Sequence, residues 1–118
     1  EVDVGIHSGW TVRLSGNELS RGEGLPPIVM VFKGAEADFS DNSISSSGVA
    51  GIRTEGVGRI TDNKFVCSTL RKGGGPPQFA VWGLPGSEIV FTGNTVQGWR
   101  HALVAEKATV TASDNKVS

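Results

Sequence analysis

Short stretches of this chain alternate between apolar and polar residues, with the apolar members two positions apart. Val12 and Leu14 enclose Arg13, for example. Apolar residues have the same spacing at three later places, 37–39, 89–91 and 110–112, although the middle residue of 89–91 is Val90 and not a polar one. A period of two is typical of a β-strand that buries one face. A sustained helical spacing of i, i+3 and i+4 is missing, and Gly interrupts every long window, so the pattern predicts an all-β chain.

All five asparagines of the sequence stand in one motif. Gly or Asp precedes each Asn, Ser or Thr precedes that residue, and apolar residues lie three positions before and two positions after. The copies are LSGNEL (14–19), FSDNSI (39–44), ITDNKF (60–65), FTGNTV (91–96) and ASDNKV (112–117). Successive asparagines are 25, 21, 31 and 21 residues apart. Such self-similarity predicts five near-copies of a coil of about 21 residues.

The residues before each Asn predict a sharp corner. Gly, Asp and Asn tolerate the left-handed backbone region that a corner needs. A second strand is expected about 11 to 13 residues before each Asn, with one inward residue in each coil. These inward residues are Ile6, Val31, Ile52, Val81 and Leu103. Coils of this kind, stacked at about 4.8 Å, would form parallel sheets along a solenoid.

These corner motifs resemble those of the right-handed parallel β-helix family, of the pectate-lyase-like or parallel β-helix repeat type, over almost the whole chain. The resemblance implies a right-handed solenoid of about five coils. It also implies a ladder in which Asn17, Asn42, Asn63, Asn94 and Asn115 point inward and bond the backbone of the next coil. It does not imply one activity, because the fold hosts many.

Two other folds fit less well. A left-handed β-helix would need a six-residue repeat of apolar and small residues, and a β-sandwich would not explain why all five corners share one sequence. Residues 1–118 are therefore expected to form a single β-helix domain, either complete or a segment of a longer β-helix. Neither end has an amphipathic capping helix, so an end is expected to stack on a partner copy or to continue into further coils.

Four residues that follow the inward row are candidates for binding. His7, Phe32, Arg53 and Trp82 should point outward next to the two longest loops, 20–27 and 66–77. Flat aromatic faces stack on sugar rings, and an Arg fork matches a carboxylate. The alternative is that Leu25 or Leu70, from these loops, covers the aromatic rings.

A second candidate is a small cationic pocket. Trp99, Arg100 and His101 would lie near Arg71 and Lys72 of the preceding loop. The two histidines of the sequence, His7 and His101, are far apart in coil order, so a metal site is not expected. No cofactor is expected either.

Composition narrows the choice of partner. The net charge is −1 over 118 residues. Nucleic acids and anionic membranes are attracted by a strongly basic protein surface, so neither is expected as a partner. No apolar run approaches the roughly 20 residues of a membrane span. The single Cys67 forms no intrachain disulfide. Compartment is not readable from the sequence, although the resemblance favours an extracellular or cell-surface setting.

Three functions remain open. The leading hypothesis is a non-catalytic β-helix module that binds a polysaccharide or has a structural role. The second is a polysaccharide lyase, hydrolase or epimerase, or a fragment of one. For a lyase, the resemblance implies a base, often Arg or Lys, with a carboxylate cluster for Ca²⁺. Arg53 is present, but candidates such as Glu55 and Glu106 lie two coils apart. The third is an assembly module, such as an adhesin or a spike-like protein, which associates through the ends of the β-helix.

Overall fold

The computed structural model describes residues 4–21, 27–46, 49–67 and 78–118, and this part of the chain forms fifteen strands and no helix. Arg71 and Lys72 lie outside the described residues, as does most of both long loops. Because there is no helix, no helical segment long and apolar enough to cross a membrane occurs in these four ranges.

The strands form three parallel sheets of five strands each, and every coil contributes one strand to each sheet. Sheet A contains β1 (Val4–Ile6), β4 (Val29–Val31), β7 (Ala50–Thr54), β10 (Phe79–Gly83) and β13 (His101–Ala105). Sheet B contains β2 (Thr11–Ser15), β5 (Glu36–Ser40), β8 (Val57–Thr61), β11 (Glu88–Thr92) and β14 (Thr109–Ser113). Sheet C contains β3 (Glu18–Arg21), β6 (Ser43–Ser46), β9 (Lys64–Cys67), β12 (Thr95–Gln97) and β15 (Lys116–Val117).

This topology confirms the all-β parallel solenoid. Its five coils are joined by four steps from the first to the last, so the described chain makes about four turns. Each coil passes through sheets A, B and C in that order, so neighbouring strands in a sheet come from successive coils. The right-handed sense remains a prediction, in keeping with the strong preference of parallel crossovers for that hand.

The corner between sheets B and C has the backbone conformation that its residues predicted. The φ angles of Asp41, Asp62 and Asp114 are 56°, 57° and 56°, and those of Gly16 and Gly93 are 70° and 68°. All five residues stand immediately before a ladder asparagine. The left-handed region costs L-residues free energy, which explains why only Gly and Asp occupy this position.

The asparagine ladder joins all five coils. Each of the first four asparagines donates its backbone N–H to Oδ1 of the asparagine one coil later, over 2.8 to 2.9 Å. Nδ2 of each later asparagine donates to a carbonyl of the preceding coil, and the acceptors are Leu14, Phe39, Ile60 and Phe91. The side chains therefore bond the backbone of the preceding coil, whereas the resemblance implied that of the next coil, because Oδ1 and Nδ2 both point towards the earlier corner. The ladder asparagines thereby find partners for their buried polar groups.

The interior of the solenoid is a continuous apolar column. Phe39, Ile60 and Phe65 are fully buried, and Phe91 is 2% exposed. Removal of such side chains from water is the main favourable contribution to folding. Cys67 is a buried cysteine in this column, and Gln78 Nε2 donates to its Sγ at 3.5 Å.

The register of sheet A differs from the sequence prediction. Met30 pairs with Arg53, and Val31 pairs with Thr54, so the partner of Val31 is not Ile52. The cause is the connection from sheet A to sheet B, which contains four residues in coil 2 (32–35) but only two in coil 3 (55–56). Phe32 therefore lies outside the row of Arg53 and Trp82, in contrast to the prediction.

Candidate functional site

The outer face of sheet A is centred on a contact between Arg53 and Trp82. The two residues are direct register partners on β7 and β10. The guanidinium carbon of Arg53 lies 4.8 Å from the centroid of the Trp82 ring. This distance is within the range of a cation–π interaction, which holds the charged group against the ring.

Two further rings extend this contact across the sheet. The ring of Phe79 lies 5.5 Å from that of Trp82 at an interplanar angle of 59°. On its other side it lies 5.4 Å from the ring of His101. Arg53, Trp82, Phe79 and His101 thus form a continuous surface over β7, β10 and β13, which we call the aromatic strip.

Phe79 was not predicted to belong to this surface. A side chain on Gly51 would point at the core, since its Cβ would lie 3.3 Å from Ile44 Cγ2. The following residue, Ile52, is also fully buried. Two successive inward positions interrupt the period of two, and this brings Phe79, which pairs with Ala50, to the outside. The signal in the sequence was a small residue before four of the five inward apolar residues, with Met30 as the exception.

The Arg53 guanidinium is incompletely satisfied within the described residues. Its Nε is buried and has no hydrogen-bond partner there, and no described carboxylate forms an ion pair with Arg53. Buried polar groups in folded proteins normally have a partner. A fixed guanidinium with free donors is a typical binding group for carboxylate, sulfate or phosphate.

His7 and Phe32 form a separate aromatic group over coils 1 and 2. Their rings stack at 4.9 Å with an interplanar angle of 7°. Trp10, which was not among the predicted residues, meets the His7 ring edge-on at 5.1 Å and is 52% exposed. The group follows the ends of β1 and β4, whereas Arg53 aligns with Met30 inside β4.

The predicted cationic pocket is brought together only in part. His101 is exposed and joins the aromatic strip through Phe79. Arg100 is exposed as well. Trp99 belongs to the core with 6% of its surface exposed, so its ring does not line an exposed pocket. Its indole N–H has no acceptor in the described part of the chain.

The short connection in coil 3 leaves a cleft of about 320 Å³ between the longer connections of coils 2 and 4. Its polar rim consists of Lys33, Glu36, Glu55 and Glu88, with Gly56 and Pro85 among the remaining lining residues. Across the described ranges, no three His, Cys, Asp or Glu side chains are grouped so as to hold a metal ion. The cleft was not predicted, because the alternation of apolar and polar residues does not reveal that the connection of coil 3 is shorter than those of coils 2 and 4.

No family model, curated protein or solved structure matches this chain. The parallel solenoid, the asparagine ladder and the aromatic strip are therefore the basis for assigning a function.

Proposed function

We propose that this chain is a non-catalytic β-helix module that binds an acidic polysaccharide along the aromatic strip. The observation that supports the proposal best is Arg53, which stacks on Trp82 and has no carboxylate partner among the described residues. A cation held against a flat apolar ring combines the two chemistries that recognise a uronate unit, a ring face and a carboxylate.

The direction of the strip suits a polymer. Arg53, Trp82 and Phe79 lie on two neighbouring coils and His101 lies on a third, so the strip crosses the strands and runs along the solenoid axis. A polysaccharide lying parallel to this axis would meet ring faces and the guanidinium in succession. Since the surrounding coils are held by backbone ladders, the binding groups are ordered before the ligand arrives, which lowers the entropic cost of binding.

The corner motifs add support from resemblance. Corners of this type are similar to those of pectate-lyase-like β-helices, whose ligands are polysaccharides. A module of this kind would act outside the cell or at its surface, where such polymers occur.

The proposal is tested by calorimetric titration with polygalacturonate and with its fully methyl-esterified form. Arg53→Gln should weaken binding of the charged polymer by about ten- to a hundredfold, since a charge-assisted hydrogen bond contributes about 1.5–3 kcal/mol. Trp82→Ala should weaken binding of both forms, because it removes the ring face.

Arg59→Gln is the matched control. Arg59 is also an exposed arginine, but it lies on sheet B and pairs with Asp38 at 3.2 Å. It should leave affinity for both polymers unchanged. Equal affinity of the unaltered chain for the charged and esterified polymers would contradict an acidic ligand.

A uronate-polymer lyase is the second candidate, and Arg53, which has no carboxylate partner among the described residues, favours it as well. In that reaction Arg53 would be the candidate base for the proton next to the sugar carboxylate. The lyase would be supported by an increase in the ultraviolet absorbance of an unsaturated product, measured with Ca²⁺ present, that is lost in Arg53→Ala. Binding without any such product would leave the non-catalytic module as the function.

A further inference from the structure

The corner between sheets A and B contains a row of residues with positive φ that is interrupted at coil 3. The row is Gly9, Gly34, Gly86 and Lys107, with φ angles of 85°, 87°, 88° and 52°. Each of the three glycines is the third residue of a tight turn, in which the backbone N–H of the next residue donates to the carbonyl three positions earlier over 3.0 to 3.1 Å. Coil 3 crosses this corner with Glu55 and Gly56 alone, so it has no member of the row.

Neighbouring members of the row are joined by a backbone hydrogen bond. Gly9 N–H donates to the Gly34 carbonyl at 3.0 Å, and Gly86 N–H donates to the Lys107 carbonyl at 2.9 Å. Because Gly34 has the same turn and nearly the same φ as Gly9, its N–H points towards coil 3, as that of Gly9 points towards coil 2. By the same comparison with Gly34, the carbonyl of Gly86 points back towards coil 3. Neither of these two groups has a hydrogen-bond partner among the described residues.

The cleft of about 320 Å³ lies at this interruption, and its lining includes Gly34 from coil 2, Gly56 from coil 3 and Gly86 from coil 4. Since coils stack at about 4.8 Å, the connections of coils 2 and 4 are about 9.6 Å apart, which leaves room for one polypeptide backbone at ladder spacing from both. A peptide unit in this position would accept a hydrogen bond from Gly34 and donate one to Gly86. These are the two bonds that a full turn in coil 3 would have made.

The charge of the rim favours a basic occupant. Glu36 and Glu88 both pair with Val57, so they stand on one face of sheet B, on either side of the strand that follows the short connection. Glu55 also lines the cleft, and the basic residue of the lining is Lys33. Three carboxylates and one ammonium give a net charge of −2, and none of the three carboxylates forms an ion pair with a described residue. Such a rim attracts Lys and Arg and repels a uronate polymer.

We propose that this cleft binds an extended basic segment of a partner protein, with one peptide unit of the segment in the place of the missing turn. The C=O of that unit accepts from Gly34 and its N–H donates to Gly86, while a neighbouring Lys or Arg side chain meets the carboxylates of the rim. Main-chain bonds of this kind contribute affinity, and the rim selects the side chains. The cleft thus gives the protein a ligand of a different class from the polymer proposed for the aromatic strip.

Calorimetric titration with a short acetylated and amidated peptide of alternating alanine and lysine tests the cleft. The dissociation constant should be below about 1 mM, and the same peptide with glutamate in place of lysine should not bind. Replacement of the backbone amides by esters should weaken binding by about two- to tenfold, since the N–H that donates to Gly86 is lost. Equal affinity for the lysine and glutamate peptides, or no binding of either, would overturn the proposal. Tighter binding of an N-acetylglucosamine oligomer would also overturn it and would assign the cleft to an amido sugar.

An insertion of proline and glycine between Glu55 and Gly56 should close the cleft from within. It gives coil 3 a connection of four residues like that of coil 4, in which Pro85 and Gly86 hold the same two places. The inserted glycine would then pair with Gly34 and Gly86. The thermal unfolding temperature should therefore rise, and affinity for the lysine peptide should fall by at least about tenfold. Unchanged peptide affinity in the folded variant would contradict binding at this place.

Charge variants test the rim without any change of the backbone. Glu36→Gln combined with Glu88→Gln should weaken binding of the lysine peptide by about three- to tenfold, the range of two exposed ion pairs. Glu18→Gln is the matched control, because Glu18 is exposed on β3 in sheet C and does not line the cleft. It should leave the affinity unchanged. If Glu18→Gln weakened binding as much as the double variant, net charge alone would attract the peptide and the proposed site would be excluded.

Discussion

The backbone N–H of Asn63 donates to Oδ1 of Asn94 at 2.8 Å, although 31 residues separate them along the chain. The equivalent bond between Asn42 and Asn63 spans only 21 residues and measures 2.9 Å. The ladder geometry is therefore independent of the length of the loop between coils. The entropic cost of closing a loop rises only slowly with the number of residues in it. The scaffold therefore tolerates long insertions next to the aromatic strip.

The interior of the ladder should contribute more to stability than its first member. Asn63→Ala leaves the buried N–H of Asn42 and the carbonyl of Phe39 without their partner. Two unsatisfied buried groups should lower the free energy of unfolding by about 2–4 kcal/mol. Urea unfolding measures this directly.

Asn17→Ala is the control, because that side chain is half-buried and its Oδ1 accepts no ladder bond from the described residues. This substitution should lower the free energy of unfolding by less than about 1 kcal/mol. Equal losses for the two variants would argue against the ladder as the source of corner stability.

The corner conformation should favour Gly over any β-branched residue. Asp62 has a φ of 57°, and Gly occupies the same place in the first and fourth coils. Asp62→Gly should leave the free energy of unfolding within about 1 kcal/mol of the unaltered chain, since Gly adopts this region without strain. Asp62→Val should lower it by about 2 kcal/mol. Both variants lose the exposed carboxylate, but only Asp62→Val adds backbone strain. A difference between their thermal unfolding temperatures therefore measures the strain alone.

Replacement by Ala should change the free energy of unfolding in opposite directions at two glycines of coil 3. A Cβ on Gly56 would lie within 2.8 Å of the Phe32 carbonyl oxygen and still closer to that of Ala35, so coil 2 would have to move. Gly56→Ala should lower the free energy of unfolding by about 1–3 kcal/mol. Gly58→Ala meets Ile60 Cδ1 and Thr54 only at 3.8 to 3.9 Å.

Gly58→Ala should therefore be neutral or stabilise the protein by up to about 1 kcal/mol, because Ala restricts the unfolded chain. The two substitutions are two residues apart and chemically identical, so denaturant unfolding compares them directly. Destabilisation by Gly58→Ala as large as by Gly56→Ala would contradict the close approach of coils 2 and 3 at the short connection.

Phe79 and Phe32 should contribute differently to polysaccharide affinity, which calorimetric titration measures. Phe79 contacts both Trp82 and His101, whereas Phe32 stacks on His7 outside the strip. Phe79→Ala should weaken binding by about tenfold, the effect of a central aromatic contact, and Phe32→Ala by less than about twofold. A larger effect of Phe32→Ala would move the binding surface to the coil 1 and 2 group.

The motif around each asparagine was sufficient to predict the local structure. A period of two defines which side chains enter the core, as Leu14 and Phe39 show, and the residue before each Asn defines a left-handed corner. Both properties depend on neighbours in the chain, so the sequence alone determined the sheets B and C and the ladder between them.

The partners across sheet A were decided by the tertiary structure. A connection shortened by two residues moves Thr54 opposite Val31 but keeps every side chain on its own face, because the strand period is also two. The alternation of apolar residues cannot reveal such a shift. Only the stacking of whole coils placed Met30, and not Phe32, beside Arg53, brought Phe79 to the surface and opened the cleft above Gly56.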